Sequence, residues 1–267
     1  MSSLSGMGAL DGRVALVTGG GRGLGRAVAQ ALAERGAAVA VGARSTEEVD
    51  SVAGELREAG YSATSVPLDV SDPASVENAV RRVADELGTV DILVNNAGVV
   101  WPLGMLLKVD ADEWEQSIDI NLTGAVRCIR AVLPGMLERG FGRIVNMSSG
   151  AAAGPGMPAA SAYSVGKAGL DMVTANLADE LSGSGVCING VRPGVVDTSM
   201  QDYMRSLPRE QVGAAFHNKF HGLHERGELS GPGPAAQLIV LLASSDRTGQ
   251  TLDVRDEETK QLIDGIA

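Results

Sequence analysis

The chain has 267 residues, with 22 Lys and Arg against 33 Asp and Glu; the formal net charge of −11 argues against nucleic acid or an anionic membrane surface as a partner. A hydrophobic fraction of 44% with 21% charged residues excludes a disordered chain, and the longest uninterrupted apolar run, Leu238 to Ala243, is too short to span a bilayer. Glycine is abundant, 35 residues without a collagen-like period, and the only cysteines are Cys128 and Cys187, which points to many tight turns and to the reducing cytoplasm instead of a disulfide framework.

The stretch Met1 to Gly12 lacks the basic start and apolar core of a signal peptide, and residues 1–10 are expected to fray as a tail. From Arg13 onward, short β-branched or apolar runs alternate with longer helical patterns. The runs Val14–Thr18, Ala38–Ala43, Ser62–Leu68, Asp91–Val94, Arg143–Met147, Val186–Val191 and Thr251–Val254 read as strands. Helical patterns fall at Leu24–Arg35, Glu47–Ala59, Pro73–Leu87, Ala111–Arg139, Ala162–Ser182 and Pro234–Ala243. Parallel pairing needs crossovers, so this series predicts one α/β domain over residues 1–267, a doubly wound parallel sheet with helices on both faces. Residues 198–233 interrupt the series. They carry all three histidines, His217, His221 and His224, and end in Ser230-Gly231-Pro232-Gly233-Pro234, so a substrate lid over the carboxyl edge of the sheet is expected there. The histidines share one helix face but lack an accompanying carboxylate or cysteine at ligand spacing, and no metal site is expected.

The first strand runs straight into Thr18-Gly19-Gly20-Gly21-Arg22-Gly23-Leu24-Gly25, which opens the first helix. Glycines let the backbone approach a pyrophosphate, and a helix N-terminus offers it free N–H groups and the positive end of a dipole. After the second strand stand Ala43-Arg44-Ser45, with no acid before Glu47. A site for NAD usually places a carboxylate there, whereas Arg44, with Arg22, suits a 2′-phosphate, so NADP(H) is the preferred cofactor and NAD(H) a possible one. Further on, Tyr163 and Lys167 are four residues apart on one helix face. A free phenol has a pKa of about 10, and a neighbouring cation is expected to lower it, making the pair an acid/base device. Ser148 and Ser149 end the fifth strand, where Ser149 is placed to bond a substrate carbonyl, and Asn121 interrupts a long helical pattern.

In this order, Thr18-Gly-x3-Gly-x-Gly, Asn95-Asn96-Ala97-Gly98, Asn121, Ser149, Tyr163-x3-Lys167 and Pro193-Gly194 resemble the short-chain dehydrogenase/reductase family, over about Asp11 to Val254. The resemblance implies a Rossmann-type sheet of seven strands in the order 3-2-1-4-5-6-7 and an enzyme that moves hydride between a nicotinamide cofactor and a ketone or secondary alcohol. It also implies that Tyr163 is the general acid in reduction and the base in oxidation, that Lys167 tunes it and holds the nicotinamide ribose, that Ser149 holds the carbonyl oxygen, and that Asn121 carries a relay water. Gly19, Gly21, Arg22, Gly23, Leu24, Arg44 and Ser45 would then meet the cofactor. Asp69 and Val70 would lie beside the adenine, Asn96, Ala97 and Gly98 beside its ribose, and Pro193, Gly194, Val196 and Thr198 beside the nicotinamide. A homo-oligomer, tetramer or dimer, is expected. Two departures stand out: the segment from Gly150 to Ala162 is one residue longer than the family spacing, and the chain closes in Arg255-Asp-Glu-Glu-Thr-Lys260, not in small glycine-rich residues. Val99, Val100, Trp101, Pro102, Met105, residues 151–157, Met200, Tyr203, Met204, Phe216 and Phe220 suggest a moderately sized, mostly apolar substrate. An NAD-dependent alcohol dehydrogenase running oxidatively and a non-catalytic dinucleotide sensor are the alternatives.

Overall fold

The computed structural model describes residues 9–265. Its strands are β1 (Val14–Thr18), β2 (Ala38–Ala43), β3 (Ala63–Pro67), β4 (Ile92–Asn95), β5 (Gly142–Met147), β6 (Val186–Arg192) and β7 (Thr251–Asp253). All pair in parallel in one sheet of order 3-2-1-4-5-6-7, the doubly wound arrangement expected. The helices are α1 (Gly23–Glu34), α2 (Thr46–Glu58), α3 (Pro73–Glu86), α4 (Ala111–Ile118), α5 (Gly124–Arg139), α6 (Ser161–Glu180), α7 (Ser199–Ser206), α8 (Arg209–Val212), α9 (Ala214–Glu225), α10 (Gly233–Ala243) and α11 (Glu257–Asp264).

Alternation along the strands feeds two cores. In β1, Ala15 and Val17 face α1, α2 and α10, where Val28, Leu32, Val52 and Leu238 are buried, while Val14 and Leu16 face α3 and α5, with Val76, Val83, Ile129 and Met136. Two layers of helix therefore hold the sheet rigid, and its carboxyl edge is left for chemistry. Of the segment expected to fray, residues 1–8 lie outside the described residues, and Leu10 is no tail residue: it is 2% exposed, in the first core, with its N–H donated to the Arg35 carbonyl.

The pattern read as one helix from Ala111 to Arg139 is interrupted. Between α4 and α5, residues Asp119–Thr123 widen into a π-helical turn, closed by the Gly124 N–H donating to the Asp119 carbonyl. The 198–233 excursion folds as α7, α8 and α9 around a third apolar cluster of Val100, Leu103, Met204, Val212, Phe216 and Phe220. Its ends are tied together: Ser230 N–H donates to the Val195 carbonyl, and Asp197 N–H to the Ser230 carbonyl. The excursion thus leaves and rejoins the sheet edge at one narrow neck.

Candidate active site

The glycine turn after β1 is built by close packing. A Cβ on Gly25 would lie 2.2 Å from the Gly19 carbonyl oxygen and 2.5 Å from Asn96 Nδ2, so no other residue fits without moving the turn. Asn96 Nδ2 donates to the carbonyls of Thr18 and Gly19, while Thr18 Oγ1 accepts from the N–H groups of Asn96 and Ala97. The end of β4 is thereby laced to the turn. Helices α2, α3 and α4 begin with side-chain caps from Ser45, Asp72 and Asp110, but α1 begins at Arg22 with no side-chain cap and no acid in its first turn. Its free N–H groups open on a cleft of about 700 Å³ and suit an anionic bridge such as a pyrophosphate.

That cleft runs along the carboxyl edge of the sheet, and Gly19, Gly21, Arg22, Gly23, Leu24, Arg44, Ser45, Asp69, Val70, Asn96, Ala97, Gly98, Ser149, Tyr163, Lys167, Pro193, Gly194, Val196 and Thr198 all line it. Arg44 is exposed and pairs with no carboxylate among the described residues. Asp69 is stabilised as the anion: burial raises its pKa, but the Ser71 hydroxyl and N–H, with Arg44 and Arg127, outweigh this and hold it below the ordinary carboxylate range. Sequence reasoning missed Glu48, which also lines the cleft and accepts from Arg22 at 3.4 Å. Ser45 caps α2 by accepting the Glu48 N–H, but the carboxylate reaches the cleft by packing on the glycine turn, which spacing along the chain does not signal.

At the other end, Tyr163 and Ser149 line the cleft together, with the serine hydroxyl beside the phenol. Ser149 Oγ also accepts the Ala151 N–H, capping a short 3-10 turn at Gly150–Ala152, and this fixes its rotamer. Ser148, the neighbouring serine just after the end of β5, is 3% exposed, and its hydroxyl finds no partner among the described residues. Lys167 is buried one turn beyond Tyr163, with Nζ 5.9 Å from the ring centroid and donating to the Met147 carbonyl at 2.7 Å. The expected lowering of the phenol pKa is not found. Burial raises Tyr163 and the nearby Ser149 hydroxyl only partly opposes it, while the Lys167 ammonium is aimed at Met147.

The Asn121 side chain is turned away from the cleft. In the π turn, its Nδ2 donates to the Val99 and Ser117 carbonyls and its Oδ1 accepts the Val99 N–H. It fastens the loop after β4 to the α4–α5 junction. A Cβ on Gly98 would lie 2.8 Å from Asn121 Oδ1 and 3.4 Å from Lys167 Nζ, so the amide and the ammonium converge over that glycine.

Of the apolar residues expected at the substrate, Val99, Val100, Trp101, Ala151, Met157, Met200, Tyr203, Met204 and Phe220 line the cleft. Pro102, Met105 and Phe216 do not: Phe216 belongs to the apolar cluster under the excursion, and Met105 is 63% exposed. His217 and His221 stack with ring centroids 4.0 Å apart, and His221 Nε2 lies 3.1 Å from the Arg205 carbonyl oxygen. Among the described residues, no helix is long and apolar enough to cross a membrane.

The sequence model of the short chain dehydrogenase family matches residues 13–208. Among similar proteins, a 3-oxoacyl-[acyl-carrier-protein] reductase FabG from Vibrio harveyi is 37% identical over 248 residues, covering 92% of this chain and 96% of that one. A cis-4-hydroxycyclohexanecarboxylate dehydrogenase from Sinomonas cyclohexanicum is 39% identical over 232 residues, 87% of this chain and 89% of its own. Among solved structures, an NAD+-bound xylitol dehydrogenase superposes with a TM-score of 0.84 at 27% identity, over 91% of this chain and 98% of that one. An actinorhodin polyketide ketoreductase with NADPH superposes at 0.82 and 35% identity, over 91% and 95%. A family match running from β1 through β6, carried by relatives aligned over most of their length, means that the chain belongs to the short chain dehydrogenase family and is an oxidoreductase.

Proposed function

We propose that the protein is an NADP(H)-preferring oxidoreductase of ketones and secondary alcohols, working as a carbonyl reductase on a moderately sized, mostly apolar substrate. The observation that carries this reading is the gathering of Tyr163, Ser149 and buried Lys167 on one wall of the cleft that starts at the uncapped N-terminus of α1. The glycine turn and α1 would hold a pyrophosphate, Asp69 and Val70 the adenine, and Lys167 the nicotinamide ribose. When bound, such a dinucleotide supplies or accepts the hydride.

The chain supplies the proton and the orientation. Ser149 and Tyr163 both offer hydroxyls to a carbonyl oxygen, which fixes the reacting carbon. As negative charge grows on that oxygen, Tyr163 gives up its proton, and the Lys167 ammonium stabilises the phenolate left behind. A phenol raised by burial stays protonated at neutral pH, which favours the reductive direction. Asn121 holds the floor of the site in place. The 198–233 excursion, necked at Val195 and Ser230, would act as a lid.

Exposed, unpaired Arg44 and nearby Arg22 support a 2′-phosphate as the preferred cofactor feature. A second reading, an NAD-dependent dehydrogenase, draws on Glu48, whose carboxylate faces the same part of the cleft. A cytoplasmic homo-oligomer is the proposed setting; the exposed Val165 and Met172 on α6 offer apolar surface to a second copy. The test is NADPH consumption with a panel of ketones and aldehydes, wild type beside Tyr163→Phe. We expect turnover that the variant loses by roughly 10² to 10⁴-fold. Equal turnover in the two proteins would refute the reading.

A further inference from the structure

The charges that line the cleft are segregated. Its only carboxylates among the described residues, Glu48 and Asp69, sit at the β2–β3 end beside Arg22 and Arg44. Past Tyr163 and Lys167, at the substrate end, the charged lining residues are Arg255, just after β7, and Lys219, on α9 of the excursion. Neither belongs to the residues proposed to hold the dinucleotide or to move the proton.

Arg255 is built in, not merely present. Its Nε and Nη2 form a two-point contact with Asp253 at 2.8 and 2.6 Å, and its backbone N–H donates to the same carboxylate at 3.0 Å. Asp253 is 7% exposed, whereas the Arg255 side chain is 60% exposed, so a buried anion holds the guanidinium out in a fixed plane. Nη1 has no hydrogen-bond partner among the described residues. A Cβ on Gly150, the residue after Ser149, would lie 3.2 Å from Arg255 Nη2, and one on Gly194 would lie 3.8 Å from its stem. The Nη2 corner of the fork therefore lies against the residue that follows Ser149. Arg255 is also where the chain departs from the glycine-rich closure of its family. Lys219, exposed on α9, brings a second cation to the cleft on a long flexible stem.

We propose that the substrate carries a carboxylate at a short distance from the reacting carbonyl or carbinol carbon, and that Arg255, seconded by Lys219 from the excursion, is the specificity determinant that binds it. The inference rests on the oxidoreductase reading above and narrows its substrate to oxo acids or hydroxy acids with an apolar body. A planar guanidinium matches a carboxylate in two-point geometry, and its nearness to Ser149 places that anion on the reacting molecule itself.

Binding and turnover test it separately. Calorimetric titration of the NADP+-loaded protein is expected to show cyclohexanecarboxylate binding about tenfold or more tightly than cyclohexanecarboxamide, a difference that Arg255→Gln reduces to near unity and Lys219→Gln reduces in part. Glutamine keeps a donor for Asp253, which preserves the fold. In turnover, 4-oxocyclohexanecarboxylate is expected to exceed its methyl ester in kcat/KM by a similar ratio, again lost in Arg255→Gln. Equal binding of acid and amide, no binding of either, or a preference that survives Arg255→Gln would overturn the proposal. So would indifference to the carboxylate joined to a preference for 3-oxobutanoyl-coenzyme A over its N-acetylcysteamine thioester, which would assign the cations to a carrier's phosphate. Selective, Arg255-dependent binding without reduction of either ketone would uphold the anion site and refute carbonyl reduction instead.

Discussion

The Nζ of Lys167 donates to the carbonyl oxygen of Met147 at 2.7 Å, tying α6 to the last residue of the strand that leads to Ser149. Burial pulls this ammonium down to about 8, against an opposing pull from Asp171 one turn further along α6. Lys167 therefore loses its charge as the pH rises through about 8, while Tyr163, raised by burial, keeps its proton. The rate of NADPH-dependent ketone reduction is expected to hold below that pH and fall above it, because a neutral Lys167 no longer stabilises the phenolate. Initial rates of the wild type across the range check this; a rate that stays level through pH 8 and above would refute it.

The same shift costs stability. The unfolded chain keeps the lysine proton up to 10.5, the folded chain only up to about 8. Between these values the unfolded state binds more protons, so stability rises with pH across this window, and below it the buried charge is a constant burden. Lys167→Met is expected to be inactive yet more stable at neutral pH, by on the order of 1 to 3 kcal/mol, with a higher Tm. Denaturant melts at neutral pH measure it, and a variant less stable than wild type would contradict it.

Gly25 is expected to tolerate no side chain. Alanine there meets the Gly19 carbonyl and the Asn96 amide, so the lacing of β4 to the turn must open. Gly25→Ala should lose about 2 to 4 kcal/mol of stability and most dinucleotide affinity. Thermal melts with and without NADPH report both losses, and a variant that binds NADPH like wild type would show that the turn yields cheaply.

Arg44 and Glu48 are expected to move cofactor preference in opposite directions. Arg44→Ala should weaken NADPH binding about tenfold or more and change NADH binding little, the cost of one charge-assisted pair. Glu48→Gln releases Arg22 from its exposed contact, where both partners are solvated and the pair itself is worth little. It should favour NADPH over NADH by a few fold. Fluorescence titration with both dinucleotides gives the ratios, and an unchanged ratio in Arg44→Ala would remove the basis for an NADP(H) preference.

Much of this was legible because period-2 and helical patterns and glycine punctuation are local signals. The strands fall within a residue or so of the positions read from Val14–Thr18 onward, and their parallel order follows from the helices between them. What failed depends on contacts distant in sequence. The π turn at Asp119–Thr123 is set by Asn121 reaching back to Val99 and Ser117, which leaves the apolar periodicity of an ordinary helix intact. Helix α11 was missed because Glu257–Asp264 is short and polar, with only Thr259 and Ile263 buried. The pKa of Tyr163 went the other way because four-residue spacing puts two groups on one face but does not say where an ammonium points. Glu48 enters the cleft through its packing on the glycine turn, 26 residues away in sequence, and Arg255 through the fold of the segment after β7 against Gly150 and Gly194.

Asn95 and Asn146 stand opposite each other in the β4–β5 ladder, with Asn95 Nδ2 donating to Asn146 Oδ1 at 2.9 Å and Asn146 Nδ2 passing on to Thr174 on α6. Both amides are buried, so sliding either strand by one residue would strand them among hydrocarbon, a far larger penalty than the loss of one apolar contact. The pair works as a key cut for a single alignment. Asn96, one residue past the key on one side, and Ser149, three past it on the other, are thereby delivered to the same cleft each time the chain folds. The spacing of the reacting groups is thus encoded in a polar contact that no substrate touches.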